Sequence, residues 1–470
     1  EKVKMADIRP VLDALTSEHK IVQLVKDLYP SGQANDLSLT LVGPLNKLQD
    51  FHYRMSVTTA SINAYQFYPA ATGLRGVINV TRSGGSVLAE GKNSRVVLEK
   101  VFASPLRVDS IQGNVTWTRE DDAWVVNGSR LWMKNRDAEA VSRFTATIAH
   151  DRAIEPRLDL DVDLTDGNLS HADHYFPVHL MNPPVRKWFD NAGFRGRINN
   201  AQLKYSGTAK GFPVRGATEF EVRANIETAS LVFAEGWPRL TGVDGDLLIG
   251  RNDLWVTGSA RDLSEQKVDN SVVHLSGLSD PGKQVVNVST GLRGKLSPVL
   301  EFLQGGPLFK GSAFRDLNLA ARGAGNMKLD VAIPLAKTSA TRLEGQYETA
   351  GAALKLPDDT WVTSIKGKLD FTEQSVVSPR LTGKMLGGPL SVNVATLKKG
   401  QPPIIQLKAR GEAHASHLEP ILGEWLAGEL SGKADWAGTM IFDVDKISLN
   451  ARSTLAGMAS AFPYPLAKEN

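Results

Sequence analysis

The chain of 470 residues contains no cysteine, which excludes disulfides and thiolate metal sites while leaving the compartment open. Its formal net charge is only +3. It therefore lacks the basic stripe with interleaved aromatics that tracks phosphates, and no nucleic-acid partner is expected. No stretch reaches the ~18 to 20 apolar residues of a membrane-spanning helix, and neither end reads as a signal peptide. Catalytic templates are missing too. Lysine follows glycine at Gly91, Gly282, Gly294, Gly367, Gly383 and Gly432, yet no Ser or Thr comes next, as a phosphate-cradling loop requires. Neither HExxH nor GxSxG occurs. The expectation is a non-enzyme with no catalytic residue, no cofactor and no bound metal.

What is present is repetition. Ile8-Arg9-Pro10-Val11-Leu12, Leu296-Ser297-Pro298-Val299-Leu300 and Leu418-Glu419-Pro420-Ile421-Leu422 share one pattern, and Pro183-Pro184-Val185 is a degraded copy. Proline suits a first helical turn, and Ser297 reads as an N-cap. Short helices are expected near residues 6–28, 183–192, 297–304 and 416–427. Subtracting residue numbers, Pro184, Pro298 and Pro420 lie 114 and 122 residues apart, so the modules are read as 1–175, 176–290, 291–412 and the start of another at 413–470. A second signal, a proline followed by glycine and an alternating strand, runs from Pro69 to Gly76, Pro238 to Gly245 and Pro357 to Gly367, and its additional copy, Pro105 to Gly113, accounts for the length of the first module. The last module stops just after it begins, so a longer parent chain is expected.

Between these landmarks the hydrophobic period is two, the signature of strands with one apolar and one polar face. Leu158, Leu160, Val162 and Leu164 alternate with Asp159, Asp161 and Asp163. Phe220, Val222 and Ile226 oppose Glu219, Glu221 and Arg223. Met327, Leu329, Val331 and Ile333 form a third apolar set, and Leu390, Val392 and Val394 a fourth. Gly84-Gly85, Asp166-Gly167-Asn168 and Asp280-Pro281-Gly282 read as turns. Strands joined by short turns give a mainly β fold: an elongated, curved and twisted antiparallel sheet, or repeating β-groove, with a few short helices.

Three polar features compete for attention. His171, Asp173, His174 and His179 match no metal-ligand spacing and read as loop residues approaching a helix. The three aspartates resemble a calcium loop, but Leu164 stands where that loop needs glycine, so they read as a solvated strand face. The tryptophans at 117, 124, 132, 188, 237, 255, 361, 425 and 436 read as core or strand-end residues rather than sugar platforms.

The apolar faces leave alternatives open. Modules that close individually, each face hidden against a second sheet, would suit a periplasmic or surface β-repeat scaffold or assembly protein. Units that extend one sheet would instead leave an apolar trough, which acyl chains could fill at ~0.8 kcal/mol per buried CH2. Paired carboxylates for glycoside hydrolysis would mark an enzyme, but nothing in the sequence selects a pair.

The stretch Tyr175-Phe176-Pro177, Met181, Val185, Trp188-Phe189, Gly193, Gly196 and Gly207 is echoed by Pro420, Trp425-Leu426, Gly428, Gly432 and Gly438. With WPRLTGVDGDLLI and the segment Ser378 to Ala395, it resembles the AsmA-like proteins of Gram-negative bacteria. The resemblance implies a periplasmic bridge, anchored to the inner membrane by a segment absent from this chain. Its groove would carry phospholipid acyl chains between inner and outer membranes. It carries over no catalytic residue.

Overall fold

The structure is a computed structural model that describes residues 3–4, 31–44, 49–64, 70–98, 102, 104–151, 153–175, 183–208, 217–232, 239–263, 266–280, 282–305, 319–337, 340–356, 359–400, 403–418, 423, 428–443 and 446–469. The chain is mainly β, with twenty-five strands in antiparallel sheet and a few short helices among the described residues. It divides into two compact units. The first comprises Glu1–Leu231, Asp244–Trp255 and Gly277–Pro281; the second comprises Val232–Val243, Val256–Ser276 and Gly282–Asn470.

The first unit holds β1 (Val3–Lys4), β2 (Ser31–Val42), β3 (Asp50–Ile62), β4 (Ala70–Thr81), β5 (Gly84–Val97), β6 (Leu106–Arg119), β7 (Ala123–Lys134), β8 (Glu139–Ala149), β9 (Arg157–Asn168), β10 (Arg195–Thr208) and β11 (Ala217–Leu231). Each pairs antiparallel with the next. Strands β12 (Leu240–Ile249) and β13 (Asp253–Leu263) fall partly in each unit. The second unit holds β14 (Gln266–Ser276), β15 (Val285–Lys295), β16 (Ala320–Arg322), β17 (Ala324–Pro334), β18 (Arg342–Lys355), β19 (Trp361–Thr372), β20 (Ser375–Met385), β21 (Gly387–Lys398), β22 (Ile404–His414), β23 (Leu430–Phe442), β24 (Ile447–Ser453) and β25 (Met458–Ser460). The pattern is again a meander, except that β15 passes over the short β16 to pair with β17, and both β24 and β25 pair with β23.

A meander places successive connections at alternate edges. In the first unit the β9–β10 connection carries a 3-10 turn Leu169–His171, α1 (Ala172–Tyr175) and α2 (Pro183–Ala192). It leaves the same edge as the β3–β4, β5–β6 and β7–β8 connections. In the second unit α3 (Leu296–Gly305) and the 3-10 turn Ala415–His417 likewise share one edge. Helix α2 begins at Pro183 and stops before Gly193, whose φ of 54° is the left-handed stop that favours glycine. The helices expected at 183–192 and 297–304 are α2 and α3. The one expected at 6–28, and most of that at 416–427, lie outside the described residues.

Three local expectations are corrected. Ser297 does not cap α3; it lies within the first turn, and its hydroxyl donates to the Ala321 carbonyl at 3.1 Å. Gly84-Gly85 is not a turn but the start of β5, the turn being Arg82 and Ser83. Asp166-Gly167-Asn168 lies inside β9: Asp166 takes a left-handed φ of 55° where it and Asn199 drop out of the β9–β10 pairing together, the register continuing unshifted on either side. Short polar residues tolerate the left-handed region, so an irregular strand position and a turn use the same letters.

The cores are faces of the sheet. In the first unit Ala34, Tyr53, Met55 and Val57 cluster with Phe51, Ile78 and Val80. In the second unit one cluster gathers Val268, Leu292, Val299, Met327, Leu329, Val331, Leu343, Phe371, Val376 and Val394.

Candidate functional site

The register of the first unit assembles apolar residues into rows across nine consecutive strands. One row runs Met55, Ile78, Val87, Val115, Gly128, Phe144, Leu160, Tyr205, Phe220. A second runs Ala60, Leu74, Gly91, Ile111, Met133, Ala140, Leu164, Ala201, Ala224, and a third from Tyr53 through Trp117 and Leu158 to Ala217. Val162 stands opposite Leu203, which stands opposite Val222. Leu158, Leu160, Val162, Leu164, Phe220, Val222 and Ile226 are therefore brought onto one surface, and all seven are half-buried. These rows contain no carboxylate, amine or guanidinium. Burial pushes the Tyr53 hydroxyl up to about 12 and raises that of Tyr205 above its ordinary 10, so the face stays uncharged at neutral pH.

The second unit treats the same kind of residue differently. Met327, Leu329 and Val331 are 2–6% exposed, and Leu390 and Val394 are also buried. Ile333 and Val392 pack against the main cluster. Strand β17 and strand β21 are separated by β18, β19 and β20, yet their side chains meet in one cluster. Strands β20 and β22, both paired with β21, approach within 8 Å of each other, whereas next-but-one strands of a flat sheet lie ~9.6 Å apart. A single layer of sheet buries one of its faces by curving toward it. The apolar face of this unit is thus the inner face of a curve, and its residues already touch one another.

The opposite face is polar and cross-linked. Asp163 pairs with Arg143 at 3.0 Å, and the Ser206 hydroxyl donates to Asp159 at 2.5 Å. In the second unit Ser289 donates to Asp330, and Gln346 to Asp370 at 2.9 Å. Asp159 and Asp163, alternating along β9, are thus engaged across strands on this face.

Comparison with known proteins places this architecture. The model of the YhdP protein family matches residues 1–470. The chain belongs to the YhdP family. It is 24% identical over 478 residues to the intermembrane phospholipid transporter YhdP of Escherichia coli (strain K12), an alignment covering 100% of this chain and 37% of that protein. No solved structure matches.

Within this YhdP-family chain the histidine cluster serves no converging ligand set. His171 donates to Asp137 at 2.7 Å, and His174 stacks on His171 with ring centroids 5.8 Å apart; His179 lies outside the described residues. Among the described residues no three His, Cys, Asp or Glu groups could hold a metal, and no helix is long and apolar enough to cross a membrane. The tryptophans divide. Trp124 is buried, Trp132 donates to Glu139 at 2.8 Å, Arg322 stacks over Trp361, and Trp117 and Trp436 lie on the apolar face. Several members of the apolar face escape a reading confined to the longest alternating runs, among them Phe144, Leu203, Tyr205, Leu343 and Phe371. Their signal is present in short alternations such as Leu203-Lys204-Tyr205, which gain meaning only once the neighbouring strands are aligned.

Proposed function

We propose that this chain is a segment of an intermembrane phospholipid conduit, with acyl chains lying on the apolar face and headgroups projecting to water. The observation that carries this reading is the uncharged apolar face shared by nine strands of the first unit, on which Leu160, Val162, Phe220 and Val222 are only half-buried while Tyr53, Met55 and Tyr205 are buried. Such a face is an acyl-chain surface, because a methylene needs no polar partner and gains ~0.8 kcal/mol on leaving water. That the Escherichia coli relative is an intermembrane phospholipid transporter supports the same cargo. A conduit between two membranes belongs in the periplasm, held to the inner membrane.

Photocrosslinking tests the proposal. Probes at Leu160, Val162 and Val222 should capture phospholipid from a cell envelope, and probes at Glu219, Glu221 and Arg223 should not. Equal capture from both faces, or none from either, overturns it. A second reading, a β-repeat scaffold without lipid conduction, has one observation in its favour: Met327, Leu329 and Val331 already bury one another. Under that reading the probes on the first unit would crosslink protein and no lipid.

A further inference from the structure

On the apolar face, four aromatic residues stand directly opposite glycines: Trp117 opposite Gly85 and Phe144 opposite Gly128 in the first unit, Phe371 opposite Gly345 and Trp436 opposite Gly411 in the second. In each pair the ring lies over the glycine. A β-carbon built on Gly128 would sit 2.3 Å from Cε1 of Phe144 and 2.6 Å from Cδ1. On Gly345 it would meet Phe371 Cζ at 2.3 Å, on Gly85 Trp117 Cζ2 at 2.3 Å, and on Gly411 Trp436 Nε1 at 3.0 Å. Carbon atoms in ordinary contact are ~3.5 to 4.0 Å apart, so a side chain at Gly128 or Gly345 would displace the ring, whereas at Gly85 and Gly411 it would also meet a backbone carbonyl, that of Asn79 at 2.5 Å and that of Pro389 at 2.8 Å.

Resting on the conduit reading, we infer that these glycines set the depth of the lipid path. Each lets a large ring lie flat across the neighbouring strand, contributing apolar area without projecting into the space an acyl chain would occupy. A ring over a strand glycine also protects that strand's backbone, and this purely structural role predicts something different. If Phe144 merely covers Gly128, then removing the ring adds damage to any change at the glycine. If Gly128 keeps Phe144 low, removing the ring repairs that change.

Gly128 is the position to test, because Phe144 is half-buried and has room to rise, whereas Phe371 is packed in the main cluster of its unit. The experiment compares parent, Gly128→Ala, Phe144→Ala and the double variant in the full chain, each with a photoprobe at Val162 and a circular dichroism spectrum. Gly128→Ala should keep the parent spectrum and lose roughly tenfold in phospholipid labelling, which converts to ~1.4 kcal/mol, the contact of about two methylenes. Phe144→Ala should label at least as well as the parent, and the double variant should recover. Parent-level labelling in Gly128→Ala overturns the inference, as does a double variant that stays as low as Gly128→Ala. Loss of folding in Gly128→Ala also overturns it, since the ring would then have no room to rise. A parent chain that captures no phospholipid at any probe defeats the conduit reading itself, a result distinct from all of these.

Discussion

The imidazole of His171 donates to the carboxylate of Asp137 at 2.7 Å, joining the end of β9 to the β7–β8 turn 34 residues earlier. The second oxygen of Asp137 accepts from the Tyr175 hydroxyl at 2.9 Å, and Asn135 donates to that hydroxyl at 2.8 Å. Burial raises the Asp137 carboxyl, but the His171 and Tyr175 hydrogen bonds, aided by the charges of His171 and Arg136, outweigh it and hold the group below its ordinary 3.8. Chiefly through burial, Tyr175 is pushed up to about 12. The contribution of Asp137 is therefore complete above pH 3.8 and lost as pH falls through the lowered value. That of Tyr175 is complete below pH 10 and lost as pH rises toward 12. Amide exchange in 169–175 should accelerate at both extremes while β9 stays protected. Tyr175→Phe should cost about 1 to 3 kcal/mol by stranding a buried acceptor; no change in the stability of this segment would show that the latch carries no load.

This latch shows what a single sequence reveals. The histidines stood out as a cluster, but the partner of His171 is set by strand register and has no local signature. Gly84-Gly85 and Asp166-Gly167-Asn168 read as turns because glycine and aspartate mark any unusual backbone. Only the neighbouring strands show that Gly85 underlies Trp117 and that Asp166 lies within a continuously paired strand. Alternation, by contrast, made the apolar sets on β9, β11, β17 and β21 legible, since a strand's two faces are written every second residue.

Two valines of the expected groove should respond differently to the same charge. Val331 is 6% exposed within the packed cluster, so Val331→Asp should unfold its surroundings at a cost of several kcal/mol. Val162 is half-exposed. Val162→Asp should retain its circular dichroism spectrum and lose lipid labelling at Leu160. If Val162→Asp is also unfolded, the first unit has no open face.

The polar face should tolerate disruption. Arg143 and Asp163 are 53% and 43% exposed, and pairs of this kind contribute at most about 1 kcal/mol. Arg143→Ala should shift the urea midpoint only slightly and leave lipid labelling from Val162 unchanged. A large fall in labelling would place the lipid path on the wrong face of the sheet.

Helix α3 is held to its sheet by two kinds of contact that can be separated. Its polar attachments are Ser297 to the Ala321 carbonyl and the Leu296 amide to the Gly323 carbonyl at 2.9 Å. Its apolar attachments include Val299, 5% exposed and part of the cluster containing Val268, Leu292 and Met327, with Leu296 packed against that cluster and Leu300 also buried. Ser297→Ala removes one hydrogen bond and should cost about 1 kcal/mol. Val299→Ala removes two methyl groups from a packed site and leaves a cavity, so it should cost about 2 kcal/mol. Urea titration of both variants, with amide exchange in β17 as the local readout, should therefore rank Val299 above Ser297. Burial against the curved inner face would then be what keeps the helix docked. The reverse ranking would mean that the polar contacts hold it and that Val299 fills space without fastening the helix.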